Sequence, residues 1–211
     1  MAEKFDFKKQ YKDLYMPKAA PMYIDVPAMP MIQVDGCGAP QGEDYQQALQ
    51  VLYALSFTIK MSKMGGQTPP GYFDYVVPPL EGLWWSPGGA LDLTQPKQTW
   101  LWTSMIRQPD FVTREVFDWA VAQCRQKKPG LPLSRARYTV WTEGPCVQAL
   151  HIGAYDDEAP TLARLHTFAK AEGLKVETGA VRKHHELYLS DPRRSAPDRL
   201  KTVLRLPVTK R

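Results

Sequence analysis

The order of the elements that this sequence predicts occurs twice along the chain, and this repeat limits the fold more than any other feature. In the first half, a strand from Met31 is followed by a helix over 43–63, whose apolar residues recur at helical spacing, and then by short strands. In the second half a strand, a helix that opens with an acidic run and a proline, and further strands follow in the same order. Strand, helix, strand, strand therefore occurs at 31–107 and again at 147–208.

Two such modules side by side predict an α+β fold in which the strands form one curved antiparallel sheet. We expect the helices to cover one side of this sheet and a ligand cleft between the modules to occupy the other side. The interpretation treats 1–211 as a single domain, with an N-terminal arm at 1–30, a first module at 31–130 and a second module at 131–211. The first module also carries an extra helix, which Asp110 is placed to cap.

The composition is that of an ordinary globular protein, with 44% hydrophobic and 23% charged residues and a net charge of +5. The basic excess is uneven, because 181–205 holds seven Lys and Arg residues against three Asp and Glu residues. Such a cluster is more often a solvated surface than a binding site, and no helix-turn-helix, zinc-finger or RNA-binding signature accompanies it. The sequence therefore argues against nucleic acid as a partner.

Cysteine usage and hydropathy indicate the compartment. Cys37, Cys124 and Cys146 are odd in number and far apart, so they fit neither a disulfide framework nor a paired metal motif. Buried thiols in a reducing cytoplasm are the simpler interpretation. The N-terminal residues lack the apolar core of a signal peptide, and no run of about 18 apolar residues occurs. We therefore expect a cytoplasmic protein that does not enter a membrane.

The stretch RKHHELYLSDPRR near the end of the chain is the best candidate for a functional strand. If it is a strand, alternation sends Leu187 and Leu189 to one face and His184, Glu186 and Tyr188 to the other. The leucines can then face a core while an acid and a phenol share the opposite surface. The Asp-Pro step that follows ends the strand, because proline has no amide hydrogen to donate.

Glu186 is the acidic residue with the clearest chemical potential. It is flanked by apolar residues on a strand that should be central, and an apolar, aromatic-lined site raises the pKa of a carboxyl group by desolvation. Such a group suits a general base near neutral pH. The same carboxylate can instead pair with a cationic ligand, and composition does not separate these roles. For Glu81 and Glu143 an exposed position is the first interpretation, with Glu81 also a candidate ligand contact.

Aromatic residues cluster on the predicted strands. Trp100 and Trp102 share a face opposite Leu101, whereas Trp84 and Trp85, as neighbours, must point to opposite faces. At least one tryptophan of that pair should therefore lie outside the core. Large rings often simply fill cores, but several rings around a concavity would stack on a flat apolar ligand. The candidate ligand-binding residues are Trp84, Trp85, Trp100, Trp102, Glu81 and His184.

The adjacent histidines do not predict a metal site. His184 and His185 are neighbours on a strand and point to opposite faces, so they cannot bind one ion together. His184 with Glu186 supplies only two ligands, fewer than protein zinc sites use. No phosphate-binding loop and no nucleophile motif is present either. We therefore expect neither a metal nor a cofactor.

Three stretches resemble one known family, and the likeness runs from about Ala20 to the end of the chain. These stretches are HHELYLSDPRRSAPDRLKTVLRLPV at 184–208, VQALHIGAYDDEAPTLARLHTF at 147–168 and PPLEGLWW at 78–85. They resemble the GyrI-like small-molecule-binding proteins and, more narrowly, the stand-alone branch that includes cyclopropanoid cyclopropane hydrolases. The resemblance implies the duplicated fold of bacterial effector-binding domains, with a glutamate in a cleft that binds flat, often cationic aromatic compounds. Glu186 matches that glutamate by motif position.

The narrower branch implies hydrolytic detoxification of DNA-alkylating natural products that carry a strained cyclopropane conjugated to a dienone. Glu186 would then deprotonate a water that opens the ring, and Tyr188 or Tyr155 would hydrogen-bond the dienone oxygen as it gains charge. The partner implied is a planar aromatic small molecule. Two alternatives stay open: a binding module that sequesters or senses flat cationic compounds, and, from the family naming alone, an inhibitor of a topoisomerase.

Overall fold

The structure, a computed structural model, describes residues 4–179 and 181–210. The strands are β1 (Phe5–Asp6), β2 (Met22–Cys37), β3 (Tyr75–Val76), β4 (Leu80–Trp85), β5 (Leu101–Arg107), β6 (Ala136–Ile152), β7 (Leu174–Val176), β8 (His184–Tyr188) and β9 (Lys201–Lys210). The helices are α1 (Phe7–Gln10), α2 (Lys12–Tyr15), α3 (Glu43–Lys60), α4 (Arg114–Lys127) and α5 (Ala159–Ala171). No helix in these ranges is long and apolar enough to span a bilayer.

Strand pairing reproduces the duplication expected from the sequence. In the first half β2 pairs with β5 and β5 with β4, and in the second half β6 pairs with β9 and β9 with β8, all antiparallel. The halves meet where β4 pairs with β8. The mixed α+β fold with a large curved antiparallel sheet is therefore confirmed. The boundaries 1–30, 31–130 and 131–211 stay predictions.

A second junction between the halves was not expected. β2 pairs with β6 along most of its length, and β6 also pairs with β9. The six strands β6, β2, β5, β4, β8 and β9 therefore form a closed ring of paired strands. β2 begins at Met22, which places the end of the proposed N-terminal arm inside the sheet. Pro27 and Pro30 conceal this strand in the sequence, because proline usually argues against a paired strand.

The long helices lie on the outer face of the curved sheet. Trp84 of β4 packs with α3, and Leu204 of β9 packs with α5. The register links these positions on one face, because Trp84 pairs with His184 and Glu186, two residues later, pairs with Leu204. α3 and α5 therefore stand on the same side of the sheet, one over each half.

The inner face is filled, and this corrects the expected position of the cleft. Phe7, Leu14 and Tyr15 of the N-terminal segments pack into a core with inward-facing residues of β2, β4, β5 and β8. The duplicated modules predicted a cleft on the face without helices. The wide groove lies instead on the outer face, bordered by residues of α3 and of the turn before α5.

The extra helix of the first half begins later than predicted. α4 starts at Arg114 and is capped by Thr113, whose hydroxyl accepts a hydrogen bond from the Val116 amide at 3.4 Å. Asp110 is therefore not the cap. The Val112 amide donates to the Pro109 carbonyl oxygen, so a turn occupies the segment before the helix.

Candidate functional site

The candidate site is a groove of about 2190 Å³ on the outer face, where the two halves meet. β4 and β8 form its floor, and their residues Trp84, Glu186 and Tyr188 line it. Tyr45 of α3 and Glu158 from the turn before α5 contribute from opposite walls. A concave surface that combines apolar and aromatic side chains with a few buried polar groups is typical of a small-molecule site, and this groove is larger than most such sites.

Glu186 lies on the floor with little contact to water, at 8% exposure. Its Oε1 atom is 3.1 Å from Nε2 of His184, two residues earlier on the same face of β8. The position opposite Glu186 on β4 is Gly82. A Cβ atom at Gly82 would stand 2.7 Å from the Trp84 indole nitrogen and 3.0 Å from the Tyr188 hydroxyl oxygen. The glycine therefore leaves the space that these two side chains occupy.

Glu158 is the residue that the sequence analysis missed. It is 6% exposed and precedes α5, and its Oε1 atom has no hydrogen-bond partner among the described residues. Burial, together with the negative charge of Glu186, raises the pKa of Glu158 to about 10. Glu158 is therefore protonated near neutral pH. The acidic run before α5 signals a helix start, but the sequence does not show which acid turns into the groove.

Two phenols lie beside these acids. The Trp84 indole N–H donates to the Tyr188 hydroxyl oxygen at 2.8 Å, and the Tyr155 ring meets the Tyr188 ring edge-on at 5.8 Å between centroids. Burial and the charge of Glu186 raise the pKa of Tyr188 well above its ordinary value and that of Tyr155 to about 12. Both phenols are neutral at physiological pH and can donate hydrogen bonds to a ligand.

The tryptophans divide between the groove and the core. Trp84 stacks on Tyr45 at 5.5 Å and meets Trp100 edge-on at 5.9 Å, and all three rings line the groove. Trp102 is fully buried, with its ring edge-on to Tyr45 at 5.0 Å, and does not reach the groove. Its expected role as a ligand contact is wrong, because the ring of Tyr45 covers it.

Glu81 and Trp85 lie on the opposite face of β4, so their assignment to the ligand site is also wrong. Glu81 is fully buried on the inner face, where the Tyr15 hydroxyl donates to it at 3.3 Å. The Trp85 ring lies 4.4 Å from the Lys183 ammonium nitrogen. Alternation showed that Trp84 and Trp85 face opposite ways, but it did not show which of them faces the ligand.

A buried charged cluster lies behind β8, and the expectation that Glu143 is exposed is therefore wrong. Nδ1 of His185 is 3.0 Å from the Glu143 carboxylate, and the Arg205 guanidinium donates to the same carboxylate at 3.0 Å. Nε2 of His185 is 3.1 Å from Glu81 on its other side. Burial alone would raise the pKa of Glu143, but the charges of His185 and Arg205 lower it to about 2. Burial would lower the pKa of His185, yet Glu143 raises it.

Comparisons with known proteins identify the family. The model of the GyrI-like small molecule binding domain matches residues 20–209. The chain belongs to the GyrI-like small-molecule-binding family. This GyrI-like protein is therefore a small-molecule-binding domain, as the groove indicates. None of the curated proteins matches the chain.

Solved structures place this GyrI-like protein among close relatives. An uncharacterized conserved protein from Listeria innocua is 54% identical, with a TM-score of 0.93, over 98% of this chain and 100% of that one. A hydrolase from Listeria innocua is 53% identical, with a TM-score of 0.91, over the same shares. The EcmrR C-terminal domain, at 12% identity, shares the fold, with a TM-score of 0.52 over 90% of this chain and 98% of that one.

Proposed function

We propose that this protein hydrolyses planar aromatic compounds that carry a strained cyclopropane and thereby detoxifies DNA-alkylating natural products. The observation that carries the proposal is the pair of buried carboxyl groups that face one groove among aromatic rings, with the pKa of Glu158 raised to about 10 and Glu186 on the floor beside it. Acid–base catalysis of water addition needs one carboxyl group that accepts a proton and one that donates a proton. The 53% identity to a protein described as a hydrolase and the motif around Glu186 also support it.

The chemistry divides between the two acids. Glu186 accepts a proton from a water molecule, whose oxygen bonds to a cyclopropane carbon while the ring carbon–carbon bond breaks. The released electron pair moves into the dienone, which becomes an aromatic phenolate, and the phenolate oxygen takes a proton from Glu158. Ligand atoms of Glu158 and Glu186 lie within 4.8 Å of each other, a separation that one bridging water spans, so the proton on Glu186 can return to Glu158 through that water. The sum of these steps is the addition of one water.

The rest of the site positions the substrate. Trp84 and Trp100 border the groove for a flat ligand with little exposed ring area, at 2% and 7% exposure, whereas the phenol Tyr155 is 37% exposed beside Tyr188. Tyr155 or Tyr188 donates a hydrogen bond to the dienone oxygen as negative charge develops there. Strain release and aromatisation favour the reaction, so a correctly oriented water and a fixed substrate account for most of the catalysis.

The test is turnover in matched variants. We expect wild-type protein to consume a cyclopropane-bearing dienone, followed by loss of the dienone absorbance, and Glu186→Gln to lower kcat by about 10²–10⁴-fold. Glu172→Gln is the control, because Glu172 is an exposed residue at the end of α5. Equal turnover by Glu186→Gln and wild type would remove Glu186 from the mechanism.

A non-catalytic function is the second candidate, and one observation favours it. Two carboxyl groups among aromatic rings also suit a flat cation, which would be stabilised by the charge of Glu186 and by the ring faces. In that case a cationic aromatic dye binds tightly and is recovered unchanged. Glu186→Gln then weakens binding of the cationic dye but not of a neutral dye of the same shape.

A further inference from the structure

We propose that Glu158, His184 and Glu186 together bind one divalent transition-metal ion of the zinc type. Each residue offers one ligand atom, and these atoms all lie within 4.8 Å of one another. The sequence supplies only two of the three ligands close together, whereas the fold brings the third from the turn before α5. The proposal does not depend on hydrolysis, because it concerns what the three side chains bind.

The donor set and its spacing suit such an ion. One imidazole nitrogen and two carboxylate oxygens are ligands that zinc accepts, and zinc sites with three protein ligands keep a fourth position for water. Metal–ligand bonds of about 2.0–2.1 Å in a tetrahedron place neighbouring ligand atoms about 3.3 Å apart. Nε2 of His184 and Oε1 of Glu186 are already 3.1 Å apart. Only the Glu158 carboxyl group has to move closer.

A second observation points to a bound ligand. Oε1 of Glu158 is buried and accepts no hydrogen bond from the residues that the structure describes, and Glu158 as a whole is 6% exposed. A buried polar atom without a partner costs free energy unless something occupies its coordination space. An ion held between Glu158, His184 and Glu186 would satisfy this oxygen and neutralise both carboxylates.

Metal binding here excludes the acid–base chemistry of the same groups. The ion takes the place of the proton on Glu158 and occupies the lone pairs of Glu186, so a bound ion blocks both acids. Binding releases protons and strengthens as the pH rises, because ligands bind metals in their deprotonated forms. Other titratable groups around the site also affect this pH dependence. Tyr155 and Tyr188 face Glu186, and Asp156 lies near Glu158. The Lys97 ammonium, also near Glu158, repels the ion.

The experiment is calorimetric titration of metal-free full-length protein with Zn²⁺, with Co²⁺ absorption as the geometric readout. We expect one equivalent of Zn²⁺ to bind, and Co²⁺ to give the visible bands of four-coordinate geometry. Glu158→Gln, His184→Gln and Glu186→Gln should each lower the affinity at least tenfold. The controls His166→Gln and Glu172→Gln, both at exposed positions of the second half, should leave it unchanged.

Three outcomes would overturn the proposal. The first is no Zn²⁺ binding by wild-type protein whose thermal unfolding shows that it is folded. The second is Zn²⁺ binding that none of the three site variants weakens, which would place the ion elsewhere. The third is preference for Mg²⁺ or Ca²⁺ over Zn²⁺, because those ions favour six or more oxygen ligands rather than an imidazole. Glu158→Gln keeps the size and shape of the side chain, and its thermal unfolding shows whether it is folded, so loss of Zn²⁺ binding by the folded variant reports on the site.

Discussion

At the scale of single residues, the site depends on two carboxyl groups with different surroundings. Alternation along β8 placed Glu186 with His184 and Tyr188 on one face, and this could be read from the sequence because the period of a strand is fixed. Glu158 could not be found in this way, because three consecutive acids precede α5 and only the backbone path selects among them. The sequence also did not show that Glu81 points inward, because alternation does not say which face of a strand is the inner one. The hydrogen bond from the Tyr15 hydroxyl shows this direction.

The protonation of Glu158 gives a prediction for both activity and stability. Glu158→Gln should lower kcat about 10²-fold, because glutamine cannot give up a proton, and wild-type activity should fall as the pH rises through about 10.

Since folding raises this pKa from 4.5, the contribution of Glu158 to stability is complete below pH 4.5 and is lost as the pH rises towards 10. Glu158→Gln should therefore unfold at higher urea than wild type at pH 8 and at a similar concentration at pH 4. Equal midpoints at pH 8 would contradict the raised pKa.

At the scale of elements, β4 shapes the groove through a missing side chain. Gly82→Ala puts a Cβ atom 2.7 Å from the Trp84 indole nitrogen, so the Trp84–Tyr188 hydrogen bond must shift. We expect the affinity for a planar aromatic ligand to fall about tenfold, at a stability cost of about 1–3 kcal/mol. Tryptophan fluorescence titration measures the first effect and urea unfolding the second. Gly88→Ala is the control, because a Cβ atom there meets nothing within 4 Å. Equal affinities for the two variants would show that the groove tolerates the methyl group.

At the scale of the whole molecule, the duplicated order of elements was readable from hydropathy, but the closure of the sheet was not. β2–β6 pairing joins residues that are more than a hundred positions apart, and no local pattern specifies such a contact. The side of the cleft was misplaced for a related reason. The N-terminal segments, whose sequence shows no clear period, fill the inner face and leave the outer face to the ligand.

The buried cluster on the inner face connects distant parts of the chain, and it can be tested by removing one charge. The Arg205 guanidinium binds the Glu143 carboxylate, the Gln148 side chain and the Leu14 carbonyl oxygen, at 3.0, 3.0 and 2.9 Å. Arg205→Met leaves Glu143 without this partner and should destabilise the fold by about 3–5 kcal/mol in urea unfolding. The exposed Lys201 lies on the same strand, so Lys201→Met should cost little. A loss below 1 kcal/mol for Arg205→Met would mean that the cluster is not an integrated unit.

The most direct measurement is mass spectrometry of a cyclopropane-bearing dienone incubated with the protein in ¹⁸O-labelled water. Our account predicts a product that has gained one water containing ¹⁸O, formed by wild type and by Glu172→Gln, and strongly reduced with Glu186→Gln. A substrate of unchanged mass after incubation with folded wild-type protein, or equal product with Glu186→Gln, would contradict it.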